Sequence, residues 1–255
     1  MTRLLLPNRR RLLAFGAALP FARRAQAAPC TLAAEQEVGP FYIADEAMRG
    51  DIVEDRVGLP LTLRLQVLDS RTCRPLPAAA VDLWQCDAMG LYSGFTQMPD
   101  LGPPPERPKH GILRRGPPPV MRPSNKLTFL RGIQRTDNEG VVRFHTIFPG
   151  VYPGRTNHIH FKIHVRDQVA DHVAHVGQVF FPEETAVSIL KRPPYSGHRL
   201  RRTTQAEDGI FRGQGGASSI ADVKMDGEAT VAVADLVVAV DPTATPAPVG
   251  FGRPD

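Results

Sequence analysis

Asn157-His158-Ile159-His160-Phe161-Lys162-Ile163-His164-Val165 alternates without a break between polar and apolar side chains. Neighbouring side chains of an extended strand point to opposite faces. Ile159, Phe161, Ile163 and Val165 therefore form one apolar face, and His158, His160, Lys162 and His164 line the other. The same period recurs at 61–67, where Leu61, Leu63, Leu65 and Val67 oppose Thr62, Arg64 and Gln66, and in shorter form at 80–85, 141–146, 176–181 and 229–240. Turn sequences such as Asp137-Asn138-Glu139-Gly140 and Pro149-Gly150 punctuate these runs, and long helical periods are missing. Such a pattern predicts an all-β chain folded as an antiparallel β-sandwich. The stretch 94–125 breaks the style with two proline triplets among basic residues, and is expected to be a long loop at the rim of an active site.

The first 27 residues have a different logic. Arg9-Arg10-Arg11 precedes a short apolar run that ends in Ala25-Gln26-Ala27, the layout of an export signal of the twin-arginine type. The run is far shorter than the ~20 residues that span a bilayer, so no membrane role beyond export is expected. The protein is expected outside the cytoplasm, in the periplasm or beyond. The chain holds 31 basic and 26 acidic residues. Six of the basic ones are leader arginines, which leaves 25 against 26 in the remainder. The basic balance thus belongs to the leader and argues against a nucleic-acid partner. Residues 28–241 are read as one catalytic domain and 242–255, rich in proline and alanine, as a loosely held tail. Of the three cysteines, Cys30 and Cys73 are the first choice for a disulfide in an oxidising compartment, and Cys86 reads as a small buried side chain.

Two imidazoles one residue apart on a strand stand side by side, which offers two nitrogens to one metal. A zinc site or a two-histidine iron(II) site would add a carboxylate, yet neither Asp nor Glu occurs between Val141 and Arg166. Tyr152 lies close instead, with Arg155 between it and the histidines, and Tyr92 follows a predicted strand. A phenol keeps its proton up to a pKa of about 10. Ferric iron can drive that proton off, because binding favours the deprotonated ligand. His158 and His160 with tyrosine in place of carboxylate therefore point to Fe(3+). Of the four tyrosines, Tyr42 and Tyr195 read as packing or pocket-wall residues.

The sequence resembles the intradiol ring-cleavage dioxygenases, the family of protocatechuate 3,4-dioxygenases and catechol 1,2-dioxygenases. The likeness runs in order through Glu37-Val38-Gly39-Pro40-Phe41-Tyr42, Arg49-Gly50-Asp51-Ile52, the segment from Leu83 to Ser93, Phe129-Leu130-Arg131-Gly132-Ile133-Gln134, and Thr146-Ile147-Phe148-Pro149-Gly150. It continues through the segment from Tyr152 to His160 and ends at Gln178-Val179-Phe180-Phe181-Pro182. The resemblance implies a non-haem ferric centre, with Tyr92 and His160 as equatorial ligands and Tyr152 and His158 as axial ones. It also implies that Arg155 is the active-site arginine, that Gln178 lies near the substrate, and that Tyr152 takes a substrate proton. The substrates would be a catechol-type aromatic and O2, with the ring cut between its two hydroxylated carbons to give a muconate-type diacid. Gln85 departs from the pattern, standing where many relatives have histidine, and the interval from Tyr152 to His158 is shorter than in the best-known members.

Two other readings compete. One is a secreted β-sandwich binding module that has lost catalysis. The other is a zinc or iron(II) enzyme that joins the histidine pair to a remote carboxylate such as Asp87. Which catechol is the substrate stays open, as does the oligomeric state.

Overall fold

In the computed structural model, residues 30–96, 121–165 and 172–249 are described. The export leader read at 1–27, most of the proline-rich loop and the last residues of the tail lie outside them. The described part of the tail, 242–249, has neither helix nor strand.

Among the described residues, nine strands form two sheets. The first sheet contains β1 (Pro60–Asp69), β2 (Arg74–Pro75), β5 (Val141–Ile147), β8 (Asp222–Met225) and β9 (Ala232–Val240). Within it β1 pairs with β2 and β5 on one side and with β9 on the other, and β8 closes the far edge. The second sheet is ordered β4 (Arg131–Arg135), β3 (Ala80–Trp84), β6 (His158–His164), β7 (Val173–Phe180). All pairings are antiparallel except that of β1 with β9. The expected all-β sandwich is therefore what forms. Two short helices, α1 (Glu183–Leu190) and α2 (Gly209–Gly213), follow β7.

The period-two pattern explains the core. Leu61, Leu63, Leu65 and Val67 of β1 are at most 2% exposed and face Ile159, Phe161 and Ile163 of β6 across the interior, with Val81, Leu83 and Phe144. Removing such side chains from water is the main stabilising contribution, roughly 1.5–3 kcal/mol each.

The outer face of the second sheet is unusual. An outward sheet face normally meets water, but here Phe41, Tyr92 and Phe95 cover it and form a second apolar cluster with Trp84 and Cys86. His158 and His160 are buried as a result, and His164 is buried further along β6. A Cys30–Cys73 disulfide ties the start of this covering segment to the β1–β2 turn, the pairing favoured from sequence. Cys86 is free and buried, also as expected.

Candidate active site

Strand register sets the floor of the site. Trp84 of β3, His160 of β6 and Gln178 of β7 are direct cross-strand partners and form one row on the covered face. The His160 ring stacks flat on Trp84, with centroids 5.0 Å apart and planes 6° from parallel. His158 begins the same strand, and its Nδ1 lies 2.7 Å from the Thr156 carbonyl. A carbonyl only accepts, so Nδ1 carries the proton and Nε2 is left with its lone pair. That Nε2 lies 3.0 Å from His160 Nε2 and 2.9 Å from Tyr152 Oη. Three potential donors thus converge.

Tyr92 completes the group from a second loop. Its ring meets Tyr152 edge-on at 5.7 Å and His160 at 6.4 Å, and its hydroxyl is buried without a hydrogen-bond partner. Backbone contact holds the two tyrosine loops together. Gly90 has φ +81°, and a Cβ there would lie 2.2 Å from the Val151 carbonyl oxygen, so only glycine fits. Arg131, fully buried, donates to the hydroxyl and carbonyl of Ser93 and to the Phe41 carbonyl. It therefore fixes the residue after Tyr92 and also Phe41, whose ring stacks on Tyr92 at 4.5 Å.

Burial sets the protonation states. It holds both imidazoles well below their ordinary range, with the Arg155 charge adding to the effect. They are neutral, as ligands must be. Desolvation also raises both phenols, while Arg155 acts in the opposite direction on each. Only a strongly charged cation would draw off those protons. Two neutral imidazoles and two phenols, one of them with an unpartnered oxygen, fit a ferric ion.

Asp87 is committed elsewhere. Its carboxylate accepts from the N–H groups of Met89 and Leu91 and shapes the turn that leads to Tyr92. Among the described residues, no group of three or more His, Cys, Asp or Glu is placed to hold a metal. The arrangement therefore gives no support to a zinc or iron(II) site built on the histidine pair and Asp87.

Arg155 and Gln178 meet. Arg155 Nη2 donates to Gln178 Oε1 at 2.5 Å. Two carboxylates that the sequence did not single out complete the arginine's surroundings. Asp208 takes Nε on both oxygens, at 3.0 and 3.2 Å, and Glu37 approaches Nη1 at 3.5 Å. Glu37 lies in a motif that carries the resemblance, but nothing marked its side chain. Asp208 reads locally as the N-cap of α2, accepting from Ile210 and Phe211, and no sequence signal joins it to Arg155. The remaining tyrosines are packing residues: Tyr195 donates to the Phe148 carbonyl, and Tyr42 donates to Asp82 and lies beneath Lys162. Lys162 is half-buried with its ammonium over the Tyr42 ring, and His164, paired with Ala80 and Val173, lies apart from the converging donors.

No protein-family model and no curated protein matches the chain. Solved structures do. An intradiol ring-cleavage dioxygenase from Tetranychus urticae is 37% identical, with a TM-score of 0.73 over 86% of this chain and 99% of that one. The dioxygenase domain of a carbohydrate-binding fusion protein from Streptomyces sp. SirexAA-E shares the fold at 23% identity and a TM-score of 0.54, over 83% of this chain and 99% of that one. So does hydroxyquinol 1,2-dioxygenase from Pseudomonas putida DLL-E4, at 22% and 0.52, over 83% of this chain and 67% of that one. With a relative this similar along nearly its whole length, and with that fold, the chain belongs to the intradiol ring-cleavage dioxygenases.

Proposed function

We propose that the protein holds a ferric ion through Tyr92, Tyr152, His158 and His160 and cleaves a catechol-type ring between its hydroxylated carbons with O2, giving a muconate-type diacid. The observation that carries this reading is the approach of Tyr152 Oη and His160 Nε2 to His158 Nε2, at 2.9 and 3.0 Å, beside a Tyr92 hydroxyl buried without a hydrogen-bond partner. When bound, the ion would act as a Lewis acid and template for the catechol oxygens.

The chain's own groups have separable tasks. The stacked Trp84 and the Thr156 carbonyl hold the two imidazoles in orientation. Tyr152 Oη, which binding of the ion would strip of its proton, would accept one catechol proton. The Arg155 guanidinium, held by Asp208 and Gln178, supplies fixed positive charge where negative charge builds on the ring. Phe41, Tyr92 and Phe95 keep water from the outer face. Export through the twin-arginine leader is part of the same proposal, and the Cys30–Cys73 disulfide supports an oxidising compartment.

The test is to load the purified protein with iron, record its visible spectrum and identify the product formed from catechol. A tyrosinate-to-iron absorption band and a ring-opened diacid are expected; Tyr92→Phe should weaken and shift the band, leaving the part due to Tyr152, and replacing both tyrosines by phenylalanine should abolish it. Full iron occupancy without colour would end the proposal.

A further inference from the structure

The Arg155 cluster contains one carboxylate more than its positive charge requires. Asp208 is saturated: it takes Arg155 Nε on both oxygens and also accepts from the N–H groups of Thr156, Ile210 and Phe211. Glu37 is not. Its Oε1 reaches Arg155 Nη1 only at 3.5 Å, and its Oε2 is buried with no hydrogen-bond partner. Burial raises this carboxyl from its ordinary 4.5 to about 7, against the pull of Arg155 and with Asp208 adding to the rise. With His158 and His160 neutral, an ionised Glu37 leaves these three groups with one net negative charge.

The backbone that carries this carboxyl is held in place. Glu37 N–H donates to Gln214 Oε1 at 2.8 Å, and its carbonyl accepts from Gln178 Nε2 at 3.0 Å. Two residues on, Gly39 packs so closely on His160 that a Cβ would lie 3.0 Å from Cε1. The segment that carries Glu37 therefore lies directly on the proposed ligand set. A buried acceptor left without a donor is costly, and a bound molecule that brings a donor relieves that cost.

We propose that Glu37 selects the substrate by charge: its free Oε2 accepts a hydrogen bond from a hydroxyl or ammonium group on the catechol, and its negative charge turns away catechols that carry a ring carboxylate. Arg155 offsets this only in part, because its single charge is shared between Glu37 and the closer Asp208. The inference rests on the catechol-cleaving reading above and adds a substrate class to it.

The test uses the iron-loaded full chain at pH 8, where Glu37 is ionised, with three probes: 3,4-dihydroxybenzoate, catechol and 4-(2-aminoethyl)catechol. Two quantities are measured, kcat/KM and the anaerobic dissociation constant from the change in the visible band. The wild type is expected to disfavour the carboxylated probe by at least about tenfold in both. Glu37→Gln should reduce that ratio by about tenfold, and Glu37→Asp, which keeps the charge, should largely preserve it. Should Glu37→Gln not fold, the wild type at pH 6 carries the test, because protonating Glu37 should narrow the same ratio while the carboxylated probe stays anionic. Around Glu37 the charged groups are Arg155 and Asp208. A wild type that prefers the carboxylated probe, or a ratio unmoved by both the substitution and the pH change, overturns the inference. If the iron-loaded wild type binds and cleaves none of the three, the catechol reading itself fails and the inference falls with it.

Discussion

Replacing Asp208 by alanine should be among the most damaging single changes available outside the apolar core. The side chain is fully buried, and one carboxylate serves three purposes. It neutralises Arg155, caps α2 through Ile210 and Phe211, and accepts from Thr156 N–H, the residue whose carbonyl orients His158. Removing one partner of a buried ion pair costs roughly 3–5 kcal/mol. Loss of a helix cap costs about 1 kcal/mol, and an unsatisfied buried N–H roughly 1–3 kcal/mol. All three losses pass through the same two oxygens, so they do not simply add. About 5 kcal/mol is the expected total, set against whole-domain stabilities of roughly 5–15 kcal/mol. Asp208→Asn keeps an acceptor for the cap but loses the charge, and roughly 2–3 kcal/mol is expected, the scale of a hydrogen bond to a charged group. Urea denaturation of both variants measures this, with Arg155→Ala and the double variant closing a thermodynamic cycle. Once Asp208 is absent, deleting Arg155 should cost little further stability. An Asp208→Ala protein within about 1 kcal/mol of wild type, or strictly additive effects in the cycle, would refute the reasoning.

Glu37 should make stability fall as pH rises. Its folded carboxyl titrates near 7 rather than 4.5, so between those values the native state binds the proton more tightly than the unfolded chain. The stabilisation is complete below pH 4.5 and is lost as pH passes about 7, by about 3 kcal/mol. Denaturation midpoints across that window should fall less steeply in Glu37→Gln than in wild type; part of the slope remains, because burial raises Asp82 to about 7 as well. Replacing Cys30 and Cys73 by alanine opens a link across a sequence separation of 43. A loss of roughly 4 kcal/mol is expected from the freed chain entropy, seen as a lower Tm that reductant no longer changes. Removing iron with a chelator should lower Tm and speed amide exchange in the covering segments 38–43 and 87–95, while β1 stays protected. Equal Tm with and without iron would contradict the ligand assignment.

The elements with strict alternation were the legible ones. In β1 and β6 every second side chain enters the core, and both strands form within a residue or two of the predicted limits. β4 carries no such pattern: Arg131-Gly132-Ile133 is buried throughout, because the second sheet is covered on both faces. The parallel pairing of β1 with β9 was hidden as well, since alternation gives the face of a strand but not its neighbour or direction. α1 has the acidic first turn of a helix, Glu183-Glu184 after Pro182, but is too short for a clear period. In the site, His158, His160 and Tyr152 lie within one stretch of chain and could be read together. Asp208 stands 53 residues from Arg155, and a long-range ion pair has no local signature. The free oxygen of Glu37 is invisible for the opposite reason: it is defined by what does not reach it.

Fold and site depend on the same register. Between the sheets the core cluster is made of apolar side chains such as Leu63, Phe144, Ile159 and Phe161. On the covered outer face lie Tyr92 Oη, Trp84 Nε1, His160 Nδ1, Arg131 Nη1 and Asp82 Oδ1, each buried and without a hydrogen-bond partner. At roughly 1–3 kcal/mol for each unsatisfied group, this face opposes folding, and the apolar face of the same strands must outweigh it. A one-residue slip of β6 between β3 and β7 would exchange the faces. Ile159 and Phe161 would then lie on the side of the proposed ligands, and His158 and His160 would enter the apolar interior, where imidazoles have no partners. Register is therefore constrained twice, once by burial of the even apolar surface and once by the row Trp84, His160, Gln178. The strand pairing that gives the sandwich its stability is what sets the two imidazole nitrogens beside Tyr152. Neither property can be changed without changing the other.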